Sequence, residues 1–217
     1  MILLCGGLKG GVGKTTTAVH LAVYLSKILG KDTLLVDADD QESSSEWMTW
    51  RAEKEDKLTG RLTFCRLAGR SVRDEVLKLK EKYEMIVIDA GAGMRDSQKF
   101  AMLVADVMLV PFPASGLDVW TLNRVEKVLE EAQIYNPALR AYSFLMRAFP
   151  QGGENAEAAD ALRDSKVLNY IDTPVINRKC FAQAVTEGLT VFEVLPPNPK
   201  AVAEIEAVFQ TAMKGGI

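Results

Sequence analysis

The sequence predicts a doubly wound α/β fold, in which a mostly parallel sheet is covered by helices on both faces. Apolar runs without polar alternation, such as MILLC and MIVIDAG, are typical of strands buried on both sides. Segments with helical apolar spacing separate these runs along most of the chain, which is the pattern of a doubly wound sheet. With 217 residues and no repeat or linker-like stretch, we expect one domain spanning 1–217.

The first half of the chain alternates strand-like and helix-like segments. The run MILLC predicts a strand, and a segment with helical apolar spacing extends from the following loop to Gly30, a typical helix stop. The run DTLLVDAD predicts a second strand, and RLTFCRL predicts a third. The segment SVRDEVLKLKEKY then predicts a short amphipathic helix with Ser71 as its N-cap.

The second half continues this alternation. MIVIDAGAG and VADVMLVPFPA predict two further strands, and LDVWTLNRVEKVLEEAQIY predicts a long helix. The apolar run RAYSFLMRAF, the polar segment PQGGENAEAADALRDS and the short run TPVI follow. The chain closes with a predicted helix whose apolar positions are expected to face the core, namely Val202, Ile205, Val208, Phe209 and Ala212.

Composition and charge exclude several classes of protein. The net charge is −3, so there is no global positive field of the kind that marks many nucleic-acid-binding proteins. The three cysteines (Cys5, Cys65 and Cys180) lack the spacing of a metal site or a disulfide framework, and we expect them to be small packed side chains. No apolar run reaches the roughly 20 residues of a membrane span. These observations predict a cytoplasmic protein.

The loop KGGVGKTT joins the first strand to a helix, the context in which a phosphate-binding loop is credible. Glycines allow backbone amides to approach phosphates closely, and the helix N-terminus adds its positive end. Lys14 is expected to reach the β- and γ-phosphates of ATP, and Thr15 to bind Mg²⁺. The expected nucleotide-binding residues are Gly10, Gly11, Val12, Gly13, Lys14, Thr15 and Thr16.

The loop departs from the usual pattern G-x-x-x-x-G-K-[ST] at its first position. Leu8 stands where the pattern requires glycine, and a second lysine, Lys9, follows it. The pattern itself does not explain this lysine.

Aspartates end two of the predicted strands, at the edge where open α/β sheets bind ligands. Asp89 ends the more hydrophobic run, so we expect it to be the Walker-B residue that holds Mg²⁺ through water. Asp37 and Asp39 are two residues apart and would share a face of an extended chain. Either carboxylate could orient an attacking water.

Together, KGGVGKTTT, LLVDADDQ and YEMIVIDAGAG resemble the deviant Walker-A ATPases of the ParA/MinD group. The resemblance implies an ATP-dependent homodimer, in which Lys9 reaches across the interface to the nucleotide of the other subunit. It also matches Asp39 to the aspartate implicated in water activation and Asp89 to the Walker-B aspartate. Two positions depart from the family pattern: Asp40 replaces a proline, and AGAG replaces a proline-rich stretch.

Within this group the chain is most similar to the short ParA-type partition ATPases. The resemblance implies nonspecific DNA binding by the ATP form, an association with the nucleoid, and a ParB-like or other adaptor that activates hydrolysis. Arg178 and Lys179 lie in the segment that resembles the family's DNA-contacting region, with Lys200 and Lys214 as further candidates. The cargo would be a plasmid, a chromosomal region or a protein assembly.

Two alternative functions belong to other classes. A MinD-type membrane ATPase would end in a basic amphipathic helix, but the last helix here carries Glu204 and Glu206, so we expect no membrane association. A metabolic P-loop enzyme similar to dethiobiotin synthetase would turn over a small substrate without DNA. Two other residues are given minor roles: His20 is expected to be structural, and Arg147 to lie near the adenine.

Overall fold

The computed structural model describes residues 1–54, 61–93, 95–115 and 119–214. Within these ranges eight strands form one sheet in the order β3-β2-β4-β1-β5-β6-β7, with β8 paired to β6, and all the pairs run parallel. The predicted doubly wound α/β fold is confirmed. The strands are β1 (Ile2–Cys5), β2 (Thr33–Ala38), β3 (Leu62–Arg66), β4 (Met85–Ala90), β5 (Val107–Phe112), β6 (Arg140–Ala148), β7 (Leu168–Tyr170) and β8 (Val175–Ile176).

Helices cover both faces of this sheet. They are α1 (Lys14–Val23), α2 (Ser43–Ala52), α3 (Ser71–Leu79), α4 (Asp96–Met102), α5 (Val119–Tyr135), α6 (Glu154–Arg163), α7 (Lys179–Thr186) and α8 (Pro199–Lys214). A single π-helical turn, Tyr24–Ile28, continues α1, and Gly30 follows it in the left-handed conformation expected of a helix stop. The predicted start of α5 near Leu117 lies outside the described residues.

Alternate residues of each central strand enter two separate cores. In β1, Ile2 and Leu4 pack with α3, α4, α5 and α6, whereas Leu3 and Cys5 pack with α1, α7 and α8. This two-sided burial explains why the strands are apolar without alternation. The face of α8 predicted to be apolar packs in the second core, with Val202 only partly buried.

Several local predictions are wrong or incomplete. Ser71 is the first helical residue of α3 rather than its N-cap, and its hydroxyl donates to the carbonyl oxygen of Ala68. Ile28 and Leu29 continue the apolar spacing of α1 but are exposed. The polar segment after β6 contains α6, and the sequence did not predict four further elements: α2, α4, α7 and β7.

Candidate functional site

The candidate site lies at the carboxyl edge of the sheet, where the loops after β1, β2 and β4 meet. The strand register places Asp89 beside both Cys5 and Asp37. A cavity of about 520 Å³ opens above this edge and is called the larger cavity below. Its lining includes Gly10, Gly11, Gly13, Lys14, Thr15, Thr16, Asp39, Gln41, Ala92, Arg95 and Arg147.

The phosphate loop, residues 6–13, wraps one side of this cavity. Gly13 has φ +98°, and a Cβ atom there would lie 2.9 Å from Cγ of Met146, so glycine is required for both conformation and space. The Val12 side chain is buried and lines a separate small pocket with Val110 and Phe112. Of Val12, therefore, only the backbone is available to a nucleotide.

Lys14, the first residue of α1, lies at the base of the larger cavity. Its Nζ donates a hydrogen bond to the carbonyl oxygen of Lys9, 2.8 Å away. Burial lowers the pKa of Lys14, while the carboxylates of Asp89 and Asp39 act in the opposite direction. Lys9 itself is exposed on the loop. The loop backbone thus holds the Lys14 ammonium group beside the space where a phosphate would bind.

Asp89 is completely buried, and neither carboxylate oxygen has a hydrogen-bond partner among the described residues. Burial raises its pKa to about 7, and Asp37 and Asp39 add to the increase. The hydroxyls of Thr15 and Ser44 lower the pKa, although neither meets the geometry of a hydrogen bond to the carboxylate. An unsatisfied buried carboxylate facing a threonine hydroxyl fits a site for Mg²⁺ and its bound water.

The two aspartates of the second motif have different environments. Asp37 is buried and accepts hydrogen bonds from the backbone amides of Asp39, 3.0 Å away, and Ser45, 2.9 Å away. It therefore fixes the start of α2. Asp39 lies beyond the end of β2, is partly exposed and lines the larger cavity. Only Asp39 is placed to orient a water there.

A smaller cavity of about 230 Å³ adjoins the larger one, with Thr16, Arg147, Val185 and Thr186 lining both. Arg147 has φ +60°, a strained conformation for a residue with a side chain, and its Nη1 donates to the carbonyl oxygen of Gly11, 2.7 Å away. Arg147 thus supports the phosphate loop at the junction of the two cavities. Its predicted position near the adenine stays a prediction.

Several residues of the larger cavity were not predicted. They include Glu46 and Trp50 of α2, together with Gln41 and Arg95. Arg95 forms an ion pair with Asp40, the residue that replaces the family's proline. The nearest sequence signal for Arg95 is its position just after the AGAG stretch.

The two predicted DNA-binding residues stand outside the larger cavity. Arg178 forms a two-pronged ion pair with Glu204 of α8, with Nη2 2.7 Å from Oε1. Glu204 also accepts from the backbone amide of Ile176, so Arg178 contributes to packing α8 against β8. Lys179 is exposed at the start of α7.

His20 is structural, as predicted. Nδ1 lies 2.7 Å from the carbonyl oxygen of Thr16, and Nε2 accepts from the backbone amide of Val191, 3.1 Å away. This pattern requires the neutral ring with its proton on Nδ1. Burial lowers the pKa of His20 to about 4.

The pattern of the CobQ/CobB/MinD/ParA nucleotide-binding domain matches residues 3–191. The chain belongs to this family. The resemblance stated from the sequence is therefore confirmed.

Members of the family with known roles are similar over nearly the whole chain. Maintenance of carboxysome distribution protein A of Halothiobacillus neapolitanus is 26% identical over 208 residues, covering 95% of this chain and 93% of that protein. The chromosome-partitioning ATPase Soj of Thermus thermophilus is 28% identical over 221 residues, covering 90% and 88%.

Among solved structures, the chain is similar to a plasmid partition protein of Borrelia burgdorferi B31 bound to AMPPNP. The TM-score is 0.78 at 19% identity, and the match covers 99% of this chain and 98% of that one. This likeness supports the ParA/MinD-like P-loop fold. Among the helices of the described ranges, none has the length and apolar character required to span a bilayer.

Proposed function

We propose that this chain is an ATP- and Mg²⁺-dependent ATPase that dimerises around ATP, binds DNA nonspecifically as the dimer and positions a cargo over it. Residues 1–217 would act as one ATPase domain. The observation that carries the proposal is the buried, unsatisfied carboxylate of Asp89 beside Thr15 and Lys14, two residues that line the larger cavity. These groups are suited to ATP bound with Mg²⁺. The phosphates would stabilise the Lys14 ammonium group, and Mg²⁺ would stabilise the Asp89 carboxylate.

Each site residue then has a distinct role. The amides of the phosphate loop and the Lys14 ammonium group bind the β- and γ-phosphates, and Thr15 and Asp89 hold Mg²⁺, which would neutralise the charge developing on the phosphates. Asp39 orients the attacking water. Lys9 binds the nucleotide of the second subunit, where the exclusion of water by the dimer strengthens the charge interaction.

The relatives' names support a role in positioning. One relative maintains carboxysome distribution, and the other partitions chromosomes. We propose that this chain likewise moves or spaces a cargo, with a ParB-like or other adaptor accelerating hydrolysis. The ATP-bound dimer would associate with the nucleoid, and loss of the γ-phosphate would release it.

The DNA contact would come from basic side chains on the face that carries α7 and α8. Arg178 and Lys179 remain the proposed contacts, but the ion pair of Arg178 with Glu204 neutralises part of its charge. Lys179 and Lys200 are exposed and would face phosphates without base recognition. Pairing two such patches in a dimer would make DNA affinity depend on ATP.

The experiment that tests the proposal measures DNA binding by the purified protein with ATP, with ADP and without nucleotide, alongside its mass in solution. We expect DNA binding only with ATP, together with a dimer. A dimer without DNA binding would contradict the DNA role, and liposome pelleting and substrate-dependent turnover would then identify a membrane or metabolic function.

A matched pair of variants locates the contact. Lys179→Glu with Lys200→Glu should weaken ATP-dependent DNA binding at least about tenfold, because each change removes a phosphate contact and adds repulsion. Lys78→Glu with Lys80→Glu makes the same charge change at the carboxyl end of α3, on the opposite face of the sheet, and should have a much smaller effect. Equal losses of DNA affinity in the two double variants would show that the DNA contact is not specific to the face that carries α7 and α8.

A further inference from the structure

We propose that Arg95 binds the terminal phosphate of ATP within its own subunit, and that Asp40 holds the Arg95 guanidinium when this phosphate is absent. The inference rests on the proposed nucleotide function and adds to it a residue that distinguishes ATP from ADP. Two observations support it: Arg95 lines the larger cavity, and it forms an ion pair with Asp40, which belongs to another segment bordering that cavity.

Arg95 shares the larger cavity with Lys14, Thr15 and Gly11. It belongs to the segment after β4, residues 91–93 and 95, which is attached to the phosphate loop because the amide of Gly93 donates to the carbonyl oxygen of Leu8, 3.0 Å away. A guanidinium on this segment is therefore kept close to the place where phosphates would bind.

The partner of Arg95 comes from the other segment that borders the cavity. Asp40 directly follows Asp39, and its ion pair with Arg95 connects the segment after β2 to the segment after β4. Both side chains are more than half exposed, 60% for Arg95 and 55% for Asp40. An ion pair this exposed to water is worth at most about fivefold in an equilibrium constant, so a stronger anion can replace Asp40.

The terminal phosphate of ATP is such an anion. A guanidinium forms two parallel hydrogen bonds with a phosphate, and such charge-assisted pairs are about twice as strong as neutral hydrogen bonds. ADP lacks this phosphate, so Arg95 would remain with Asp40 when ADP is bound. The exchange of partners would therefore favour ATP over ADP and loosen the connection between the two segments.

Asp40 would also oppose ATP in two ways. It occupies the guanidinium, and its own negative charge lies beside the cavity edge. Removing the Asp40 charge should therefore tighten ATP binding, whereas removing the Arg95 side chain should weaken it. If the ion pair had only a structural role, Arg95→Ala and Asp40→Asn would change nucleotide affinity in the same direction, since both changes break the same contact.

The test measures dissociation constants of fluorescent ADP and of fluorescent AMPPNP in Mg²⁺, for the whole chain and four variants. Arg95→Ala should weaken AMPPNP binding about tenfold and change ADP binding less than about twofold. Arg95→Lys should recover part of the loss, because lysine keeps the charge without the planar fork. Asp40→Asn should tighten AMPPNP binding by about two- to fivefold.

Arg66→Ala is the matched control. Arg66 pairs with Glu42, and these side chains are similarly exposed, at 51% and 47%, but neither lines the larger cavity. The control should leave the ratio of the two dissociation constants unchanged. An equal shift with Arg66→Ala would overturn the inference, because general electrostatics would then explain the effect.

Two other outcomes separate the inference from the proposed function. If the unmodified chain binds both nucleotides and Arg95→Ala preserves the ratio, the inference is wrong and the proposed function stands. If the unmodified chain binds neither nucleotide, the proposed function fails and the inference fails with it. Thermal melting of each variant confirms that the comparison is made between folded proteins.

Discussion

Asp39 packs directly against the backbone of Gly91: a Cβ atom placed on Gly91 would collide with Oδ1 of Asp39. The absence of a side chain at Gly91 therefore provides the space that the carboxylate occupies. This contact joins the segment after β2 to the segment after β4 within the larger cavity. Asp39, the residue proposed to orient the attacking water, is thus held against Gly91, the residue that follows the Walker-B strand β4.

Gly91→Ala should displace Asp39 without unfolding the chain, because the contact is with the end of a side chain that can move. We expect ATP hydrolysis to fall at least about tenfold, since small displacements of a positioning group cost large factors in rate. ADP affinity should stay within about twofold. Steady-state turnover and nucleotide titration measure the two quantities, and Gly153→Ala, at a glycine with open space around it, is the control.

Lys9→Ala should abolish ATP-dependent dimerisation while each monomer still binds ATP. The substitution removes the exposed side chain but keeps the backbone carbonyl that holds Lys14 Nζ. Light scattering with AMPPNP should show a dimer for the unmodified chain and a monomer for the variant. A dimer that persists in Lys9→Ala would refute the role of this lysine across the interface.

Arg51→Ala should destabilise the fold by about 3 kcal/mol, because it leaves the Glu193 carboxylate buried without its main partner. The two side chains are 9% and 1% exposed, and Arg51 Nη2 lies 2.9 Å from Oε1 of Glu193. Burial would raise the pKa of Glu193, but Arg51, Thr190 and Lys27 lower it below its usual value.

Chemical denaturation measures this loss. The exposed Arg66–Glu42 pair serves as the reference, and Arg66→Ala should cost less than about 1 kcal/mol. Equal losses in both variants would show that the Arg51 pair gains nothing from its burial.

The stability of the chain should fall between pH 6.5 and about 4 through His20, whose pKa burial lowers to about 4 from 6.5. The folded state resists protonation that the unfolded chain accepts, so the contribution is full above pH 6.5 and is lost progressively below it, by up to about 3 kcal/mol. Asp89, with its pKa raised to about 7, acts in the opposite direction.

The difference between the unmodified chain and His20→Gln isolates the histidine, which is the only one in the sequence. The free energy of unfolding, measured at several pH values, should fall less steeply for the variant in this window. Parallel curves would contradict the neutral, buried state assigned to the ring.

The central strands and the phosphate loop could be predicted because their signals are local. Strands buried on both faces are unbroken apolar runs, and the loop is defined by glycines and lysines in short order. Four helices, α2, α4, α6 and α7, were not predicted, and in α2 and α6 the local signal is weak. The segment of α2 begins with three serines and buries Ser44, Trp47 and Arg51, whereas α6 buries only Ala158, Ala159 and Leu162. Their buried faces are too small or too polar to give apolar periodicity.

The site residues that lie in recognisable motifs were predicted, and those without a motif signal were missed. Lys14, Thr15 and Asp89 meet at one sheet edge as expected. Asp37 and Asp39 do not share one role, because the end of β2 at Ala38 turns Asp37 into a support for α2. The closeness of Arg95 to Asp40 depends on the adjacency of β2 and β4, which spacing along the chain does not reveal.

The attachment of α2 determines where the segment after β2 can deform. Trp47 Nε1 donates to the carbonyl oxygen of Leu189 and Arg51 Nη1 to that of Gly188, so α2 is fixed to the chain that follows α7. Asp37, near the end of β2, holds the first turn of α2 through the amide of Ser45. Only residues 39–42 lie between the two fixed points, and Glu42 among them has φ +57°. The amides of Asp39, Gln41 and Glu42 donate to Asp37 Oδ1, Asp39 Oδ1 and the carbonyl oxygen of Asp39, in that order. Because these local hydrogen bonds can open without disturbing α2, these amide hydrogens should exchange with solvent faster than those of α2, and a nucleotide that slows their exchange would do so with the helix still in place.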